Sequence, residues 1–269
     1  MEQGTKDVSQ SIETLPQSDF NSINQVIAVM SGKGGVGKSS VAALIGVKLA
    51  RDGYRVGLLD ADITGPSIPK MFGVTSSAEA VEFGILPVKS DLGIEIMSLN
   101  LLLENEDDPV IWRGPLIAGA VRQFWTDVIW GKLDYLIVDL PPGTGDVPIT
   151  VMQSLPVNGV VIVSSPQDVA TMIVKKAIRM ASMMNVKILG LIENMSYAVC
   201  PKCGETLHLF GPSRGEDLAK STGIPYLGAL PLDPELAELC DLGRVEEYDS
   251  EAMKSEIKWA EIVNKEVSR

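Results

Sequence analysis

The sequence predicts a single α/β domain: a mostly parallel β-sheet with helices on both faces. Two observations predict it. Apolar runs of strand length alternate with helical stretches along the chain, which is how βαβ units build a parallel sheet. The 269 residues are 45% apolar, enough for one large core, and show neither an internal repeat nor a linker long enough to mark a second domain.

Residues 1–23 are polar and aperiodic, and read as a flexible tail. Residues 24–269 make the domain, with a cysteine loop near 196–210. Val26 to Met30 is the first strand. Val41, Leu44, Ile45 and Leu49 then recur at helical spacing, and Gly53 offers a stop. Tyr54 to Leu59 is the second strand, ending on Asp60-Ala61-Asp62, where strand-end carboxylates face the ligand crevice of an open sheet. A short helix follows through Phe72. Ile94 to Ser98 reads as a strand, Glu104 to Asp108 as an acidic exposed loop, and Pro115 to Trp130 as a helix. Tyr135 to Asp139 is a strand ending in an acid, before the stiff loop Leu140 to Asp146 with its two prolines. Val157 to Val163 is a strand, and Asp168 caps a helix through Met184. Lys187 to Ile192 and Leu227 to Leu230 are strands, with a helix from Pro212 to Ser221 between them. Helices near 234–241 and 250–266 close the chain.

The chemistry centres on Gly32-Lys33-Gly34-Gly35-Val36-Gly37-Lys38-Ser39, which fits G-x-x-x-x-G-K-[ST] between a strand and a helix. Glycines there let the backbone turn its N–H groups inward, and the helix N-terminus adds its positive end. Residues Gly34 to Ser40 form the nucleotide-phosphate cradle. Lys38 reaches the β- and γ-phosphates, and the Ser39 hydroxyl suits Mg²⁺. Asp139 is the strand-end acid expected beside such a loop, and Asp60 and Asp62 add two more carboxylates.

The early lysine, Lys33, makes the loop resemble the deviant Walker A loop of the MinD/ParA, ArsA and nitrogenase iron protein class. That resemblance implies that Lys33 reaches a partner's nucleotide across a homodimer. Further stretches narrow it. They are Asp60 to Ser67, Trp112 to Pro115, Asp139 to Asp146, Ser165 to Ala170, Glu193 to Ser196 and Cys200-Pro201-Lys202-Cys203-Gly204. In this order, over residues 25–245, they resemble the Mrp/ApbC family of iron–sulfur cluster carrier ATPases. The resemblance implies that Asp60 and Asp139 act around Mg²⁺, that Asp62 orients the attacking water, and that Asn194 contacts adenine. It also implies a [4Fe-4S] cluster bridged by Cys200 and Cys203 of two subunits and delivered to apo iron–sulfur proteins.

By spacing alone the cysteine pair remains open. One Cys-x-x-Cys supplies two of the four thiolates that a four-iron cluster or a structural zinc wants, so zinc between two copies and a redox dithiol stay alternatives. His208 reads as a surface residue and Cys240 as a small buried one. Two departures from relatives are expected: no small extra domain before the ATPase, and no N-terminal four-cysteine cluster, since residues 1–23 hold no cysteine.

A net charge of −12 argues against a nucleic-acid or anionic-membrane surface. No apolar run reaches membrane-spanning length and no signal-peptide pattern opens the chain, so the expected location is the cytoplasm. A positioning ATPase of the MinD/ParA type is the competing function, together with a zinc-stabilised dimeric switch. The apolar spacing of Met253, Ile257, Ile262, Val263 and Val267 suits a helix packed on the sheet, because it lacks a basic face for membranes.

Overall fold

In the computed structural model the described residues are 17–62, 65, 67–102, 114–167 and 171–263. The sheet begins with β1 (Ser22–Ser31), then α1 (Lys38–Arg51), β2 (Val56–Asp60) and α2 (Ile68–Met71). Three short strands follow, β3 (Glu79–Val81), β4 (Gly84–Leu86) and β5 (Val88–Lys89), before β6 (Glu95–Ser98). Next come α3 (Gly114–Thr126), β7 (Lys132–Asp139), α4 (Asp146–Ser154), β8 (Gly159–Ser164), α5 (Thr171–Met183) and β9 (Lys187–Glu193). The chain then forms β10 (Ala198–Val199), β11 (Thr206–Leu207), α6 (Gly215–Thr222), β12 (Tyr226–Ala229) and α7 (Pro234–Asp241). It ends in α8 (Glu251–Ser255) and α9 (Trp259–Ile262).

The central sheet runs β12-β9-β8-β1-β7-β2-β6-β5. Every pairing in it is parallel except that of edge strand β5 with β6. Alternate side chains of each strand feed the two cores. Val26, Ala28 and Met30 of β1 join the layer under α3, α4 and α5, with Leu136 and Val138 of β7. Ile27 and Val29 join the other layer with Tyr135, Ile137 and the apolar face of α1. Burial on both faces is why these strands read as continuous apolar runs.

Register aligns the strand ends that matter. Val29 and Asp60 each pair with Asp139, so the ends of β1, β2 and β7 lie side by side. The order of connection reverses around β1, with β7 on one side and β8 on the other, and ligand crevices of open α/β sheets form at such points.

Several expectations need correction. β1 starts at Ser22, and Gln17 bonds both N–H and C=O of Ile23, so residues 17–23 are tied to the sheet rather than forming the end of a tail. The helix expected from Pro115 to Trp130 ends at Thr126. Val128 instead bridges Ile85, and the buried Trp130 ring donates from Nε1 to Phe124 O at 2.9 Å. α6 starts at Gly215, later than Pro212, because Arg214 N is bonded to Glu193 Oε1. The closing helix breaks into α8 and α9 where Lys258 N donates to Leu227 O of β12. Met253, Ile257 and Ile262 do pack on the sheet. The Glu104–Asp108 loop, Asp168 and Val267 lie outside the described residues. Among those residues no helix is long and apolar enough to cross a membrane.

Where β2 and β7 begin, the Arg55 guanidinium forks onto Asp134, with Nη2 at 2.8 Å from Oδ1 and Nε at 3.1 Å from Oδ2. Arg55 N also donates to Oδ2. These bonds hold the Asp134 carboxyl below the usual carboxylate range. A depressed folded pKa gives stability that is present above the unfolded value and lost as pH falls through the folded one. Asp134→Asn should therefore unfold at lower urea than the parent at pH 7. The gap should close as pH drops below about 4, and a gap that stays constant across the acid range would contradict the pairing.

Candidate functional site

The phosphate loop joins β1 to α1 and encloses a pocket of about 240 Å³ together with Asp62, Ser67, Met71 and Pro142. Gly35 and Gly37 have φ of 79° and 74°, a region that side-chain-bearing residues rarely adopt. At Gly37 a side chain is excluded twice over. A Cβ there would lie 2.2 Å from Asn194 Nδ2.

Lys38 is 6% exposed and its Nζ lies 2.6 Å from Asp139 Oδ1 and 3.9 Å from Asp62 Oδ2. The Ser39 hydroxyl donates to Asp139 Oδ2 at 2.5 Å. Asp139 has no exposed surface. Burial pushes its carboxyl up, while the Lys38 ammonium and the Ser39 hydroxyl pull it back. The structure thus gathers Lys38, Ser39, Asp62 and Asp139 at one point.

Asp60 lies beside them but is bonded to the backbone. Its oxygens accept N–H groups of Asp62 at 3.1 Å, Ser67 at 2.9 Å and Ile68 at 3.0 Å. It thereby ties Asp62, Ser67 and the start of α2 to the sheet. Burial, and then the Asp139 charge, push its carboxyl up to about 7. Lys33 is half-buried, and its carbonyl accepts the Ser31 hydroxyl at 2.9 Å. The loop after β7 is tied in as well, since Gly143 N donates to Ser31 O at 2.9 Å.

Asn194 is 4% exposed, and its amide donates to Val36 O at 2.9 Å. The side chain expected to contact adenine is therefore engaged with the phosphate loop here. Glu193, which the sequence reading gave no role, is equally buried. It accepts the Ser196 hydroxyl at 2.5 Å and Arg214 N at 2.9 Å. An acid closing an apolar strand, within a stretch that carries the family resemblance, was the signal for it.

Cys200 and Cys203 sit on the tip of the β10–β11 hairpin. Cys200 N donates to Glu205 O at 2.9 Å, and Gly204 N to Cys200 O at 2.8 Å with φ of 74° at Gly204. The Cys200 sulfur accepts the N–H groups of Cys203 and Lys202, which lowers its pKa. Cys203 is exposed, and exposed apolar side chains stand on the same hairpin and just after it: Val199, Leu207, Leu209 and Phe210. His208 is exposed and Cys240 is half-buried, with its thiol pushed up to about 11 by burial; among the described residues neither closes a three-ligand group with the pair.

Among the described residues no three His, Cys, Asp or Glu side chains close around a metal. Ser39 and Asp139 offer the hard oxygens that suit Mg²⁺, an ion that keeps waters and takes substrate phosphates as ligands. The hairpin offers two soft sulfurs, half of a four-thiolate set.

A family model described as ParA, NUBPL iron-transfer P-loop NTPase, matches residues 22–266. A Clostridium perfringens protein named iron-sulfur cluster carrier protein is 46% identical over 90% of this chain and 88% of its own length. A Methanocaldococcus jannaschii protein of the same name is 48% identical over 84% of this chain and 79% of its own. A solved structure of a nucleotide-binding protein from Archaeoglobus fulgidus in complex with ADP is 49% identical. It covers 85% of this chain and 90% of its own, with a TM-score of 0.77.

The Lys38–Asp139 pair can be tested directly. Removing one partner of a buried ion pair strands the other charge and costs about 3–5 kcal/mol, whereas replacing both with apolar residues is far milder. Asp139→Leu should therefore destabilise the protein strongly in urea titrations, and adding Lys38→Met should recover most of the loss. Additive losses would show the pair to be uncoupled.

Proposed function

The chain belongs to the NUBPL/ParA family of iron-transfer P-loop NTPases, and from that premise we propose that it binds and slowly hydrolyses ATP while carrying a [4Fe-4S] cluster between two copies of itself to apo iron–sulfur proteins. The observation that carries this reading is the exposed cysteine hairpin. It presents two thiols per chain, one with a lowered pKa, six residues after an asparagine that grips the phosphate loop. Its apolar surroundings suit the contact between two copies that would complete a four-thiolate set. The relatives' names and the ADP bound by the Archaeoglobus protein support the same reading. Three free cysteines fit a reducing compartment, which supports a cytoplasmic location.

In this reading the backbone N–H groups of Gly34 to Ser40 hold the phosphates, and Lys38 turns from Asp139 toward the γ-phosphate. Ser39 and Asp139 would hold Mg²⁺, which when bound would neutralise phosphate charge. Asp60 keeps the turn in place so that Asp62 can orient water. Water attacks the γ-phosphorus, the bond to the β–γ bridging oxygen breaks, and ADP and phosphate leave. Lys33 supplies charge to the partner's nucleotide, and Asn194 lines the base side of the site once nucleotide loosens its bond to Val36. The cluster is cargo, held by Cys200 and Cys203 of each copy.

Lys33→Ala should leave nucleotide affinity nearly unchanged and lower turnover by about tenfold or more, because its charge acts on the transition state. Unchanged turnover would remove the lysine from the mechanism. After anaerobic reconstitution with iron and sulfide, Cys200→Ala and Cys203→Ala should each lose iron while Cys240→Ala keeps it. Zinc as the only retained metal, or iron loss in the Cys240 variant, would overturn the carrier reading.

A further inference from the structure

The helix α5 is cationic in an acidic molecule. Its sequence, TMIVKKAIRMASM, holds three basic residues and no acid in a chain of net charge −12. Lys176 and Arg179 stand on the wall of a groove of about 440 Å³ between α4 and α5. Its apolar lining comes from Ile149, Met180, Met183 and Met184. Met183 is 85% exposed, more than any other large hydrophobic side chain among the described residues. At one end the groove reaches Thr144, in the loop whose Gly143 is bonded to Ser31 at the start of the phosphate loop.

We propose that this groove is the docking site for an acidic recipient protein, which inserts apolar side chains among the methionines and pairs carboxylates with Lys176 and Arg179. The inference rests on the carrier reading and names where its recipient binds. Charge complementarity selects the partner. Lys176 and Arg179 on the groove wall attract an acidic surface and steer it in. The methionines select its mode of contact. Unbranched, polarisable side chains repack around different apolar anchors, which suits a carrier with several recipients. A concave groove with an apolar lining fits a protruding protein segment. A nucleic acid would want a longer cationic stripe and aromatic or hydrogen-bonding groups for bases.

The test uses the full chain, reconstituted with cluster, and the apo form of an acidic four-iron ferredoxin labelled with a fluorophore. Anisotropy titrations at low and physiological salt should show binding that weakens with salt. A Lys176→Glu/Arg179→Glu double variant should bind about tenfold or more weakly at low salt, and Met183→Ser should weaken binding several-fold with little change in salt dependence. Both variants should retain the parent's iron content and nucleotide affinity, which separates lost docking from lost folding or lost cargo. Parent-like affinity in both variants, or no salt-sensitive binding by the parent, overturns the docking site. Iron loss in the parent itself would instead indict the carrier reading. A surface that binds anionic vesicles or duplex DNA through the same two cations, and not the apoferredoxin, would also overturn it.

Discussion

The contact between Lys38 and Asp139 is the constraint around which the site is built. A carboxylate without solvent exposure at the end of a central strand has to meet a cation and hydrogen-bond donors, or it will take up a proton. Lys38 at 2.6 Å and Ser39 at 2.5 Å provide both. Because these two residues open α1, the contact fixes the helix and its glycine loop over the ends of β1 and β7. The parallel register then brings Asp60 beside Asp139, and Asp60 organises the turn that carries Asp62. The carboxylates Asp60 and Asp139 are thus set by strand register and, for Asp60, by backbone hydrogen bonds before a phosphate arrives.

A second set of contacts ties this crevice to the thiols. Asn194 grips Val36 from the end of β9, and it sits so close to Gly37 that no side chain fits there. Its neighbour Glu193 bonds Ser196, from which the chain runs into β10, and also the start of α6. Met195 between them has a φ of 55°, a conformation uncommon for a side chain of its size. The same four-residue stretch therefore touches the nucleotide loop on one side and the base of the cysteine hairpin on the other. The NUBPL/ParA family pairs an NTPase with iron transfer, and in the proposed reading this one segment joins the two sites.

Much of this was legible in the sequence. β1, β7 and β8 are buried on both faces, so they stand out as apolar runs, and the glycine loop and Asp139 follow from their place beside such strands. The short strands β3, β4, β5, β10 and β11 were not legible, because two or three partly exposed residues leave no alternation to read. The break between α8 and α9 was hidden for a different reason. Its apolar spacing is continuous, and only the bond from Lys258 to Leu227 interrupts the helix. Asn194 and Asp60 show a further limit. Residue type marked both as polar groups at strand ends, but the acceptor of one and the three backbone donors of the other come from segments distant or unordered in pattern.

In the proposed reading two copies of the chain share one cluster through Cys200 and Cys203. The most direct measurement is anaerobic sedimentation velocity recorded at both the protein and the visible cluster absorption, before and after a chelator is added. A shared cluster makes the visible absorption travel only with a two-chain species, and stripping the iron shifts protein toward the single chain. Cluster absorption travelling with the single chain would contradict it.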